Sequence, residues 1–433
     1  MNLKRSWPRS TRSEEKTRFP VPAGDGERSL RGAKGPELLC PAGDLERLEM
    51  ALAYGADAVY LAGKRYGLRA AAAGFEGEDM RRAAALCHAA GAKMYVAVNA
   101  LPHEAELSDL PAFLESAAEA GADAFIIADL GVMALAKRYA PQVPLHVSTQ
   151  FGVVNSETAN MLCDLGAKRV VLARELSLEE IASIRAHTPG ELELEVFVHG
   201  AMCVSFSGRC LLSNYLTGRD GNAGACAQPC RWKYHLVEEK RPGRYYEISE
   251  DGGTHILNAE DLCMIEHIPA LAEAGIGSLK IEGRMKSAYY AAVTAYAYRG
   301  AIDDYLAGRS CDPAWIRECE MVSHRRYSTG FYFGAPGQYY DEAMYFSGAE
   351  VCAVVEQCDD RGEAVLTQRN KFSLGDAVEL ITPGQRPVRF TVTDLRDGEG
   401  TPLDSAPHAM MELCMSLPAK AQRLSILRRL KET

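Results

Sequence analysis

The feature that most constrains the fold is a recurring phrase: a helical segment, a glycine stop, then a short apolar run. The stop is written Gly55-Ala56-Asp57, Gly91-Ala92-Lys93, Gly121-Ala122-Asp123 and Gly166-Ala167-Lys168, with Gly275-Ile276-Gly277 later. Glycine there supplies the left-handed residue that ends a helix before a strand begins. The apolar runs Glu37 to Cys40, Ala58 to Leu61, Met94 to Val98, Ala124 to Ile127, Leu145 to Ser148, Arg169 to Leu172 and Leu194 to Val198 read as buried parallel strands. A helix over Glu260 to Ala274, an eighth strand over Ser278 to Ile281 and a helix from Ser287 to about Leu306 complete the count. Eight such units predict an α/β fold, a TIM-type (β/α)8 barrel over residues 36–310. An open doubly wound sheet is the rival. It is disfavoured because no G-x-G-x-x-G follows the first strand.

The flanks read differently. Residues 1–35 carry nine Lys or Arg against four Asp or Glu and no apolar period, so a disordered basic N-terminal segment is expected. Residues 311–348 read as a linker with a basic, aromatic turn at His324 to Phe331. Residues 349–430 alternate β-rich runs with Gly and Asp turns, as a small C-terminal β-barrel-like domain does.

The phrase is interrupted once, by an insertion over residues 199–260 after strand seven. It holds Cys203, Cys210, Cys226 and Cys230 in a C-x6-C-x15-C-x3-C spacing, among glycines. Four thiolates on a glycine-rich connection can converge on one soft metal centre. Structural zinc prefers tighter pairs than Cys203/Cys210, whereas iron-sulfur ligation tolerates the wider spacing. A 4Fe-4S cluster is therefore the expected occupant, with zinc as the alternative. The chain has 13 cysteines, and Cys87, Cys163 and Cys414 lie in apolar or helical patterns that suit small buried hydrophobes. Cys263 reads as a core residue, with Cys40 as a second reserve ligand. No apolar run approaches the ~20 residues of a membrane span, and no secretory signal is visible, so a cytoplasmic protein is expected.

Chemistry in a barrel of this type sits at the strand C-termini. Those ends carry Cys40, Asn99, Asp129, Ser148, Gln150, Arg174, Glu175, His199, Glu282 and Arg284. Arg174 after strand six and Arg284 after strand eight are placed to hold a dianionic small molecule by guanidinium forks. Glu282, Arg284, Arg174 and His199 are the candidate catalytic residues, with Glu282 or Asp129 as the proton carrier. The alternative for each is a satisfied polar strand end or a rim ion pair. Zinc-protease and serine-hydrolase signatures are absent: His103-Glu104 lacks a second histidine, and there is no G-x-S-x-G.

Much of the chain resembles the collagenase-like family long filed among unassigned peptidases. The resemblance rests on ELLCPAG, GADAVYL, STQ at Ser148 to Gln150, RELSLEEI at Arg174 to Ile181, E-x-F-x-x-G-A-M-C-x4-G-x-C-x-L-S at Glu195 to Ser213, CAQPCRW, LKIEGRMKS and HRRYSTGF. It implies an oxygen-independent RNA hydroxylase rather than a protease, closest to a branch that forms 5-hydroxyuridine at the tRNA wobble position using prephenate. It also implies a 4Fe-4S cluster on Cys203, Cys210, Cys226 and Cys230, and leaves open a paralogous subunit. A U-type peptidase and a zinc-stabilised RNA- or protein-binding scaffold are the alternatives. The formal charge of −10 argues against indiscriminate nucleic-acid binding. Contacts with tRNA are thus expected from a local basic lip of Arg209, Arg219, Arg231, Lys233, Arg325 and Arg326, with Trp232 and Tyr234 to stack a splayed base.

Overall fold

A computed structural model describes residues 35–68, 74–232, 234, 236–237, 243, 245–246, 259–337 and 345–431. The expectation of disorder over residues 1–35 therefore falls, all but its last residue, outside the described residues.

Eight parallel strands close on themselves: Glu37–Pro41, Ala58–Ala62, Lys93–Val98, Ala124–Ile127, Leu145–Val147, Ala167–Val171, Glu193–Ala201 and Ser278–Ile281. Each pairs with the next in chain order, and the eighth pairs with both the seventh and the first. This is the TIM-type barrel the repeat predicts. Helices start where a side chain can accept an orphan amide: Asp44, Asp129, Asn155, Ser177 and Ser287 all cap helices in this way. They stop at the recurrent glycines, as at Gly121, whose φ of 100° suits no other residue well.

The inside of the barrel is apolar in one layer and ionic in another. Leu39, Ala58, Tyr60, Tyr95, Ala124 and Ile126 form a buried cluster. Near the strand N-termini, Arg169 Nη1 donates to Glu37 Oε1 (2.6 Å) and Glu195 Oε2 (3.0 Å), and Lys280 Nζ donates to Glu195 Oε1 (2.8 Å). Burial alone would raise the Glu195 carboxyl; Lys280 and Arg169 override it and hold it below its ordinary value. The bottom of the barrel is thus plugged by paired charge, and the top is left for the site.

Two segments differ from expectation. The stretch read as a helix over Glu260 to Ala274 opens instead with a strand, Asp261–Cys263, antiparallel to the end of strand seven. Only Ile268–Glu273 is α-helical. Strand seven overhangs the barrel by several residues, and this segment supplies the partner its exposed backbone needs. The expected linker over 311–348 also contains a helix, Pro313–Glu320, and a short strand, Tyr327–Ser328, that pairs with Asp261–Cys263.

After residue 348 a seven-stranded antiparallel sheet forms its own core around Leu366, Phe372, Leu380 and Leu413. It is tied to the barrel by Arg428, which is fully buried. Its guanidinium donates to Glu318 Oε2 (2.6 Å) and Oε1 (2.8 Å) on the Pro313–Glu320 helix, and to Glu379 Oε2 (2.8 Å). Tyr54 Oη, from the first barrel helix, donates to the Ile381 carbonyl (3.0 Å). No helix among the described residues is long and apolar enough to cross a membrane.

Breaking a buried pair by removing one partner strands the other's charge. Arg428→Ala is expected to lower stability by about 3–5 kcal/mol in urea unfolding, and Arg428→Met with Glu318→Leu to recover part of that. A loss below about 1 kcal/mol, the range of an exposed pair, would show that the pair is not what joins the sheet to the barrel.

Candidate functional site

Strand seven is nine residues long, and its last turns deliver the cysteine loop to the barrel mouth. Gly200 makes this delivery feasible. Its φ is 105°, and a Cβ there would stand 2.5 Å from the Glu282 carbonyl oxygen, so only glycine lets strand seven and the chain after strand eight approach so closely. The loop then settles back on the rim, where the Ser207 amide donates to Glu175 Oε1 (2.9 Å).

The four predicted cysteines share this loop. Burial raises the Cys230 thiol; Arg231 opposes this, while Cys203, Cys226 and Cys210 all add to it, so each lies within electrostatic reach. The Gln228 amide donates to Cys226 Sγ (3.4 Å), a bond that stabilises a thiolate. Ser213 Oγ accepts from the Ala227 amide (2.9 Å), and Asn222 Nδ2 donates to the Cys210 carbonyl (3.3 Å), bracing the loop from inside. Among the described residues, the set of three or more ligand-type atoms within 4.8 Å of one another is His199, Cys263 and Cys319. No three of the loop sulfurs are gathered that closely, whereas a single tetrahedral zinc ion with ~2.3 Å bonds needs an edge of ~3.8 Å. Thiolates held farther apart on one loop suit a polynuclear cluster.

Arg174 sits directly beneath. Its Nη1 donates to the Ala201 carbonyl (3.0 Å), its Nε reaches Ser207 Oγ (3.4 Å), and its guanidinium lies 5.3 Å from the Phe197 ring centroid. Burial works against its charge, but the hydrogen-bonded Cys203 sulfur, with Glu282 and Glu175, holds its pKa above the ordinary value. Glu282 accepts from Tyr60 Oη (3.1 Å). Arg174 is half-buried, whereas Arg284 is buried, beside Gly67.

Lys286, to which the sequence reading assigns no role, belongs to the same rim. Its Nζ donates to the Ser323 carbonyl (2.8 Å) and lies 4.4 Å from the Tyr345 ring centroid and 5.3 Å from that of Tyr290. Burial first, and then Arg231 and Arg325, bring its pKa down to about 8, against the pull of Asp261 and Glu282. The signal in the sequence was its place in the EGRMK run after strand eight. Its partners, distant in sequence, were not visible there.

A cavity of about 180 Å³ opens beside the cysteines, lined by Glu175, Met202, Cys203, Phe206, Glu260 and Phe331 among others. Outside it, Trp232, Arg209, Arg219 and Arg326 are exposed, and Arg231 donates to Tyr345 Oη (2.6 Å). Lys233 lies outside the described residues.

Other predicted positions are placed elsewhere. Arg325 is not part of the basic lip: it is 2 % exposed and its guanidinium is bonded to Asp261 (2.5 Å), so it is unavailable to a phosphate. Asp129 caps a helix through the Val132 amide (2.9 Å). Cys40 is buried in the barrel wall, where desolvation and Asp57 raise its thiol. His199 lies below the mouth, opposite Cys263 in the strand pair and packed among Tyr290, Tyr298 and Tyr327.

The model of Peptidase family U32 matches residues 43–342, and that of the Peptidase family U32 C-terminal domain matches residues 348–428. The chain is 39% identical over 416 residues to tRNA hydroxylation protein P of Escherichia coli, covering 86% of this chain and 91% of that one. It is 37% identical over 405 residues to tRNA hydroxylation protein P1 of Bacillus subtilis, covering 92% and 95%. It is also 36% identical over 358 residues to the 23S rRNA 5-hydroxycytidine C2501 synthase of Escherichia coli, covering 80% of this chain and 52% of that one.

The Lys286 environment has a measurable consequence. Between pH about 8 and its ordinary 10.5, the folded chain releases this proton while the unfolded chain keeps it, so stability rises with pH across that window. Relative to Lys286→Met, the wild type is expected to gain at most roughly 3 kcal/mol there, at ~1.4 kcal/mol per pH unit. A stability difference that stays flat from pH 7.5 to 10.5 would contradict the desolvated placement of the amine.

Proposed function

The chain belongs to peptidase family U32, and from that footing we propose that it is an RNA hydroxylase whose redox centre is a 4Fe-4S cluster on Cys203, Cys210, Cys226 and Cys230. The substrate proposed is uridine at the wobble position of tRNA, converted to 5-hydroxyuridine. The observation that carries the reading is the placement of four cysteines on the one loop after strand seven, with Cys203 lining a cavity and bonded to the half-buried Arg174 guanidinium. Relatives named for tRNA hydroxylation, and one named for 5-hydroxycytidine in rRNA, support the substrate class.

Replacing a ring C5–H by C5–OH withdraws two electrons, which no side chain at the mouth can accept. A 4Fe-4S cluster held by Cys203, Cys210, Cys226 and Cys230 would relay electrons one at a time, with a co-substrate as the net two-electron acceptor and the oxygen source. The chain's own residues then have defined tasks. Arg174, bonded to the Cys203 sulfur, offsets the negative charge of the thiolates and orients the loop. With Arg284 it offers a cationic floor for a carboxylate-bearing co-substrate such as prephenate. Glu282, within reach of both Arg174 and Lys286, is positioned to hold or pass a proton. Lys286, with a pKa of about 8, is the group best matched to give or take a proton near neutral pH. Phe206 and Phe331 wall the cavity with apolar surface suited to a flat ring, and Trp232 stands exposed outside it for stacking. Arg209, Arg219, Arg231 and Arg326 form the local basic lip that an otherwise acidic chain needs to meet phosphates.

In a strain deprived of its own tRNA hydroxylases, the wild-type chain is expected to restore hydroxylated uridine in tRNA, read by nucleoside mass spectrometry. Cys226→Ser should leave it at the empty-vector level. Unchanged nucleosides with the wild type, or full restoration by Cys226→Ser, would overturn the proposal and return attention to the peptidase or scaffold readings.

Arg231→Glu is expected to weaken tRNA binding and to reduce the salt slope by about one. Binding with unaltered affinity and slope would remove this lip from the interface.

A further inference from the structure

We propose that His199, Cys263 and Cys319 form a second metal site, buried below the mouth and separate from the cysteine loop, that takes one zinc ion.

The three residues come from three elements. His199 lies near the end of strand seven, Cys263 stands directly opposite it in the antiparallel pair, and Cys319 lies near the end of the Pro313–Glu320 helix. One ring nitrogen and the two sulfurs all lie within 4.8 Å of one another. A closure of about an ångström brings them to the ~3.8 Å ligand spacing of zinc. Two thiolates and an imidazole are a soft donor set that selects zinc over magnesium or calcium. They match the three-ligand sites that leave a fourth position open.

A second observation points to a missing ligand. His199 is 1 % exposed, and its Nδ1 is buried with no hydrogen-bond partner. Leaving a buried polar atom unpartnered is unfavourable, and a cation accepting its lone pair removes that cost. The other ring nitrogen faces Tyr327 Oη at 3.4 Å, and that hydroxyl donates to the Cys319 carbonyl (2.8 Å), an outer contact that fixes the ring. Tyr298 Oη, 3.9 Å from Cys263 Sγ, donates to the Val198 carbonyl (2.7 Å) and accepts from the Met264 amide (3.1 Å).

Charge is consistent with this occupant. A zinc ion with two thiolates and a neutral imidazole is neutral overall, as burial demands. The neighbouring charged groups are already matched, Asp261 with Arg325 and Glu318 with Arg428. A nucleophilic Cys–His pair does not suit the place, because His199 and Cys319 are closed to any peptide. Bound here, zinc clamps the Asp261–Cys263 strand and the Pro313–Glu320 helix to strand seven, immediately before it turns into the cysteine loop.

The test uses the whole chain. Wild-type protein is expected to hold one zinc that Cys319→Ser lacks, whatever the iron content of the loop, so failure here is separable from failure of the hydroxylase reading. Alkylation mapped by mass spectrometry provides a readout without substitution: zinc should protect the partly exposed Cys263, and chelation should make it reactive. Equal zinc in wild type and Cys319→Ser, equal alkylation with and without zinc, or a Cys263–Cys319 disulfide formed in zinc's presence would overturn the site.

Discussion

The interaction on which the mouth depends is the hold of the Arg174 guanidinium on the cysteine loop. It bonds the Ala201 carbonyl, approaches Ser207 Oγ and the Cys203 sulfur, and lies over Phe197. A buried cation is costly unless anionic or polar partners surround it. Here the partners are the first residues of the loop, so satisfying the arginine and seating the loop are one event. Lysine would not substitute, because the planar fork reaches several acceptors at once.

The rest of the barrel makes that arrangement affordable in geometric terms. The paired charges of Glu37, Arg169, Glu195 and Lys280 fill the lower interior, so nothing there competes for Arg174. Above them strand seven overhangs the barrel. Gly200 admits the Glu282 carbonyl, and Asp261–Cys263 covers the exposed edge. The C-terminal sheet reaches this region indirectly: Arg428 grips Glu318 on the helix that also carries Cys319. Sheet, helix and strand seven therefore form a continuous support for the loop.

The barrel was legible because its signal is local: an apolar run, a glycine stop and a helix, repeated, demand only neighbouring residues. The four loop cysteines were legible for the same reason. What escaped depends on partners distant in the chain. Leu262, Ile265, Ile268 and Leu271 suit a helical stripe, yet residues 261–263 became a strand because strand seven needed an edge partner. Arg325 looks like a surface cation beside Arg326, but Asp261, 64 residues earlier, draws it inward. The displaced pKa of Lys286 arises from burial under Tyr345 and Tyr290 and from Arg231, which no local pattern encodes. His199 and Cys263 were each visible, but their meeting with Cys319 follows from tertiary packing alone.

The central claim is that the four loop thiols hold an iron-sulfur cluster, and its most direct test is iron and acid-labile sulfide content, with an absorption spectrum, on protein purified without oxygen. The expected result is about four iron and four sulfide per chain, with the visible absorption lost in Cys203→Ser while the barrel stays folded. Stoichiometric zinc on the loop without sulfide, or a cluster that persists in Cys203→Ser, would contradict it.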